Sequence, residues 1–310
     1  MEYLISLIVF ALGVVFWVGW RTAHLKEPFG LPDGFGYFCA NMAVYILTAP
    51  YLQSALGMWG LLCTEIILLL PALFMPRLAR VKAREFFCLN VPSIRHVVGG
   101  IVLWYGALYV QSVGTQLIFT LFPGARDSYV NVSSFIASGG LTAAIVAGVL
   151  APAVCEEFMH RGVILASMRG KYNDAFITVA GGFFFGLFHL DAPRFLGTAA
   201  MGMALTYAGL RSRSLLLPML LHFINNLYSL AGTILAEPAA DTAPAEIRAI
   251  DFLMGQAFYC VFGICLLSVG YALLRGERRT GRKNPILLIS ACMAIVLAAQ
   301  AVVSFFVMTA

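Results

Sequence analysis

Runs of about twenty apolar residues, set apart by short polar links, recur from one end of the chain to the other, and a run of that length is what a helix needs to cross a hydrocarbon core about 30 Å thick. Inside that core every backbone N–H and C=O must be satisfied within the protein, which restricts such a chain to a bundle of membrane-spanning helices. Composition agrees. Of the 310 residues, 61% are hydrophobic and only 11% charged, with a mean hydropathy of +0.87, against roughly a quarter charged in a soluble domain. The expected fold is all-α: a polytopic bundle of about ten spans, 8–10, with a four-helix catalytic core.

Spans are expected near 2–20, 36–54, 56–75, 97–122, 136–168, 174–190, 194–210, 214–235, 252–274 and 285–308. The second and third are separated only by the Ala49-Pro50 break and a few small or polar residues. The first segment, EYLISLIVFALGVVFWVGW, has no basic leader and no small-residue cleavage site, and it closes on Trp17 and Trp20, so it reads as a retained helix. The chain forms one integral membrane domain, 1–310, divided into N-terminal helices (1–133), a catalytic core (134–235) and a C-terminal helical pair (236–310).

Loop charge tests the count independently, because cytoplasmic links carry most Lys and Arg. Links 21–35, 76–96, 169–173, 211–213 and 275–284 hold sixteen of the twenty basic residues; the alternate links hold Arg126, Arg194 and Arg248, and Arg161 lies within a span. Strict alternation places both termini outside, in an integral protein of the bacterial inner (cytoplasmic) membrane. The net charge of +5 is therefore a topology signal, and its partner is the lipid bilayer rather than nucleic acid. The seven cysteines form no CxxC pair and sit mostly in apolar runs, as small buried hydrophobes.

Ionisable side chains within spans are costly and mark functional sites. The segment CEEFMHRG holds Glu156 and Glu157 with His160 and Arg161 four residues on; Phe185 and His189 are four apart, as are His222 and Asn226. Residues four apart share a helix face. Counted from the basic links at 1.5 Å per residue, Glu156, His189 and Asn226 lie roughly 20 Å deep and His222 roughly 14 Å. Three helices can therefore build one site. The chain has no HExxH helix, no GxSxG elbow and no pair of intramembrane aspartates. Glutamate and histidine remain: a desolvated carboxylate that takes a proton from water, a histidine that shares the water, and hydrogen-bond donors for an oxyanion.

Glu156-Glu157-x-x-x-Arg161, Phe185-x-x-x-His189 and His222-x-x-x-Asn226 resemble, in order, the three motifs of the CPBP family, the CAAX-prenyl-endopeptidase (type II), Abi-like and bacteriocin-processing intramembrane glutamic proteases. Residues 68–80 and 202–226 look like that family too, and the resemblance covers about 60–230. It implies Glu156 as the base activating water, His189 as its partner, and His222 with Asn226 at the oxyanion. Glu157 and Arg161 would orient the site, with Phe185 completing its motif. No cofactor or metal is called for, and the substrate would be a membrane-associated peptide or protein: a CAAX-type tail, a leader peptide or a C-terminal sorting helix.

Other readings remain open. A non-catalytic immunity or scaffold protein would share the fold, and a proton-coupled transporter would also carry Glu, His and Arg at mid-depth, though here they cluster in spans five to eight. His160 lies outside the motif and reads as structural. Glu157-x-x-His160 has the spacing of a di-iron ligand pair but lacks the second pair such a site needs. Cys155 points about 100° away from Glu156 on a regular helix. Glu65, in the third span, is either a cavity residue or a snorkelling acid.

Overall fold

The computed structural model describes residues 19, 21–23, 27–235 and 249–276. The expected first and last spans lie outside the described residues, apart from Gly19. Among the described residues every regular element is helical: α1 (Leu31–Leu56), α2 (Met58–Ala79), the short α3 (Ala83–Phe86), α4 (Ile94–Leu121), α5 (Ala125–Ser138), the long helix α6 (Gly140–Met168), α7 (Asp174–Phe188), α8 (Phe195–Ser212), α9 (Leu216–Leu235) and α10 (Ala249–Arg275). The chain is an all-α polytopic bundle. Among the described residues, five helices are long and apolar enough to cross a membrane: Leu31–Leu56, Met58–Ala79, Ile94–Gln116, Gly140–Met168 and Phe258–Arg275.

Helix starts follow local chemistry. Asp33 accepts a hydrogen bond from the Gly30 amide at 2.7 Å at the head of α1, and Asn173 accepts from Phe176 N at the head of α7, each filling an orphan donor of the first turn. The break between α1 and α2 falls at Gly57, whose φ of 56° favours glycine, and not at Ala49-Pro50. Pro50 is carried inside α1, as membrane helices tolerate when neighbours re-satisfy the freed carbonyl. The link expected before residue 136 is itself a helix, α5, with polar and apolar residues on opposite sides.

α6 is the central helix and the most buried of the five long ones. α1, α2, α7 and α9 surround it; α8 packs on α7, α9 and α4, and α4 packs along α10. Glycines set the closest approaches. A methyl at Gly182 would lie 2.6 Å from the Ala199 carbonyl oxygen, and one at Gly270 would lie 2.6 Å from Leu103 N, so α7–α8 and α4–α10 meet backbone to backbone as small residues permit in membranes. Large apolar residues such as Ile46, Leu70, Phe183 and Ile264 are exposed on the outside of this arrangement, as a lipid-facing surface requires. For the same reason only Cys155 of the described cysteines is buried and Cys39 is exposed: an apolar neighbourhood here includes lipid.

The basic links meet at one end. Lys171 Nζ reaches the Phe29 carbonyl at 2.6 Å, Arg169 the Cys88 sulfur, Arg211 both Asp174 and the Arg275 carbonyl, and Arg21 both Asp33 and the Leu78 carbonyl. All five links that carry the basic excess are represented in these contacts. At the opposite end lie the α1–α2 turn and α5.

Candidate active site

Glu156, Glu157, His160 and Arg161 lie on α6, where the helix widens to a π-turn over Phe158–Ile164. Such widenings recur at functional sites, and this one follows directly on Glu157. Glu157 is fully buried, and its Oε1 accepts from Arg161 Nη1 at 2.8 Å and faces His222 Nδ1 at 2.9 Å. The guanidinium donates further to the Gly202 carbonyl at 2.8 Å and to Thr206 Oγ1 at 3.3 Å. It also lies 4.5 Å from the centroid of the Phe185 ring. One ion pair thereby locks α6 to α8 and α9, and its cation rests on an aromatic face of α7.

Phe185 is the hub of the histidines. Its ring makes edge contacts with His160, His189 and His222, at centroid distances of 5.1, 4.9 and 5.6 Å. His189 caps α7, with Nδ1 2.8 Å from the Phe185 carbonyl. An imidazole that donates Nδ1–H to a carbonyl keeps a free lone pair on Nε2. Glu156, next to Glu157 on α6, is buried, and its Oε2 has no hydrogen-bond partner among the described residues. Arg161, His189 and His222, one from each polar group, thus meet at Phe185, and Arg161 and His222 meet at Glu157 as well.

His222 faces Glu157, and Asn226 Oδ1 accepts from Asn225 Nδ2 at 3.4 Å, while Asn225 Oδ1 accepts from Trp104 Nε1 at 3.2 Å. His160 is buried, packed against Phe38, Phe185 and Phe188, and neither ring nitrogen has a hydrogen-bond partner among the described residues. Sequence reasoning misses Thr206, Gly202, Asn225 and Trp104. Thr206 and Gly202 sit in a run of small residues with no charge to draw notice, and Trp104 is 121 residues from its partner; only the doubled Asn of HFINN is a visible signal.

The end of the site away from the basic links is fastened by Asp191, in the α7–α8 link. It pairs with Arg194 at 2.8 Å and accepts from Ser128 of α5. Burial alone would raise this carboxyl, but the Ser128 hydroxyl and the Arg194 guanidinium outweigh it and hold it below the ordinary aspartate value.

Fold and site together define a membrane-embedded helical protein with a buried glutamate–histidine centre. Residues 138–228, which contain every motif residue named above, match the family model of type II CAAX prenyl endopeptidase Rce1-like proteins. Over that segment the chain is similar to a CAAX peptidase family. No curated protein and no solved structure matches the chain.

Proposed function

We propose that the protein is an intramembrane endopeptidase that uses Glu156 to activate a water molecule. The observation that carries the reading is the Glu157 carboxylate held between Arg161 and His222, because it brings the α9 histidine to the α6 glutamates across 65 residues of sequence. Glu156 takes a proton from water while the water oxygen attacks the scissile carbonyl, and His189 Nε2 orients the same water. His222 is held in place by Glu157 through Nδ1. With Asn226 it hydrogen-bonds the developing oxyanion. The proton on Glu156 then passes to the leaving amine, giving a free carboxylate and a free amine with no covalent intermediate.

The substrate is a membrane-associated peptide or protein cut near its end: a CAAX-type tail, a leader peptide or a C-terminal sorting helix. The meeting of the five basic links supports an orientation with that end at the cytoplasmic face and both termini outside, in a bacterial inner membrane. The test is cleavage of membrane substrates encoded near this gene by purified protein with excess chelator. Wild type cleaves, and Glu156→Ala and His189→Ala do not. Chelator-sensitive cleavage overturns the metal-free mechanism; cleavage surviving Glu156→Ala overturns the assignment of the base.

A further inference from the structure

Trp104 stands on α4, a helix that supplies no group to the chemistry described above, and it is buried. Its indole belongs to one apolar cluster with Phe185, Leu217 and Leu221, and the Tyr228 ring meets it edge-on at a centroid distance of 6.1 Å. α9 runs close to α4 here because Gly100, one turn before Trp104, makes room for it: a methyl at Gly100 would lie 3.2 Å from both Leu217 and Leu221. A ring packed on these sides keeps its Nε1–H in one direction, and Asn225 Oδ1 lies there at 3.2 Å.

That bond sets the polarity of the next one. An indole N–H can only donate, so the end of the Asn225 amide facing it is the oxygen, and the nitrogen is the end left over. Asn225 Nδ2 in turn donates to Asn226 Oδ1 at 3.4 Å. The oxygen of Asn226 is thereby occupied, and its Nδ2 is the end of the amide left for a substrate oxygen. A carboxamide free to turn over presents either end, and only the nitrogen end stabilises a negative oxygen.

We propose that Trp104 is a positioning residue which, acting through the Asn225 amide, holds Asn226 with its NH2 group toward the oxyanion. This rests on the peptidase reading above and brings α4 into the site. Trp104 exchanges no proton in the reaction. Its contribution is made beforehand, by removing the amide orientation that would set one oxygen against another, so that no reorientation is needed as charge develops. The doubled asparagine of HFINN then has a division of labour: Asn226 donates and Asn225 aims it.

The test uses full-length protein purified in detergent: wild type, Trp104→Phe, Asn225→Leu, Asn226→Ala, and Trp104→Phe combined with Asn226→Ala, each checked by thermal melting. Trp104→Phe keeps an aromatic ring and removes the donor, whereas Asn225→Leu leaves the indole in place and removes the link. In cleavage assays Asn226→Ala loses roughly 10²–10³-fold in kcat. Trp104→Phe and Asn225→Leu each lose roughly tenfold in kcat, with KM within about twofold of wild type. Added to Asn226→Ala, Trp104→Phe costs less than about twofold more, because the group it positions is already gone. Equal losses from Trp104→Phe in both backgrounds, which is what a merely packing role gives, overturn the proposal, as does wild-type kcat in Asn225→Leu. Indole N–H signals in NMR spectra of isotope-labelled protein supply a readout independent of cleavage. The Trp104 signal is identified by its loss in Trp104→Phe, and it shifts in Asn225→Leu; an unshifted signal overturns the relay. If Asn226→Ala cleaves as wild type does, the oxyanion assignment fails and the positioning role falls with it. If wild type cleaves nothing, the peptidase reading fails, and the indole signal still decides whether the relay exists.

Discussion

Replacing Arg161 by Met removes the one cation that Glu157 holds at 2.8 Å, in a place where both side chains are essentially inaccessible. Breaking a buried ion pair from one side costs about 3–5 kcal/mol, mostly because the surviving charge is stranded. Two features put this case at the lower end. The Gly202 carbonyl keeps its bond from Thr206 Oγ1 at 2.7 Å, and Glu157 keeps His222. The expected loss is therefore about 3 kcal/mol. With an unfolding entropy of roughly 2 cal/mol/K per residue over the chain, that corresponds to a fall in Tm of roughly 5 °C in thermal melts of the detergent-solubilised protein. The second variant makes the argument specific. In Arg161→Met combined with Glu157→Gln no charge is stranded, and the carboxamide oxygen that replaces the carboxylate still accepts from His222, so at least half of the loss returns even though one more native group has been removed. A single variant losing less than about 1 kcal/mol, or a double variant less stable than the single, would refute the view that a desolvated ion pair holds α6 to α8 and α9.

Gly182→Ala puts a methyl against the Ala199 carbonyl oxygen at 2.6 Å; separating α7 from α8 costs about 1–3 kcal/mol, and because α7 carries Phe185 and His189, cleavage falls more than stability does. His160→Phe retains cleavage and folding, measured by activity and melting, because the ring packs against three phenylalanines and neither nitrogen has a hydrogen-bond partner among the described residues; loss of activity comparable to His189→Ala would assign His160 to the chemistry. The Asp191 tether of α5 is pH-dependent. Its folded value is below the unfolded one, so its contribution is whole above the unfolded value of about 4 and is lost as pH falls through the lower folded value. Protease nicking or hydrogen exchange at α5 rises in that acid window in wild type, while Asp191→Asn shows the loosened behaviour at neutral pH and no further acid step.

Much of this architecture is legible from apolar run length and loop charge, because both reflect what the bilayer demands of any chain: helices long enough to cross, and cations left on one side. The i,i+4 pairs also survive folding, since Glu157 with Arg161 and Phe185 with His189 are neighbours on single helices. Boundaries set by local backbone chemistry are harder. Pro50 reads as a break, yet Gly57 makes it, and α5 has too little apolar length to be counted as a span.

What the sequence determined by itself was the solvent the protein lives in, the helical class, the end that gathers the basic links and the three polar pairs that resemble a peptidase family. Each follows from composition or from spacing within one helix. Only the tertiary structure decided which pair meets which: that His222 faces Glu157, and that Arg161 reaches Gly202 and Thr206. The physical reason is rotation. The facing of one helix toward another depends on glycine approaches such as Gly182 to Ala199 and on the π-turns of α6, which shift its register away from a regular 3.6-residue repeat.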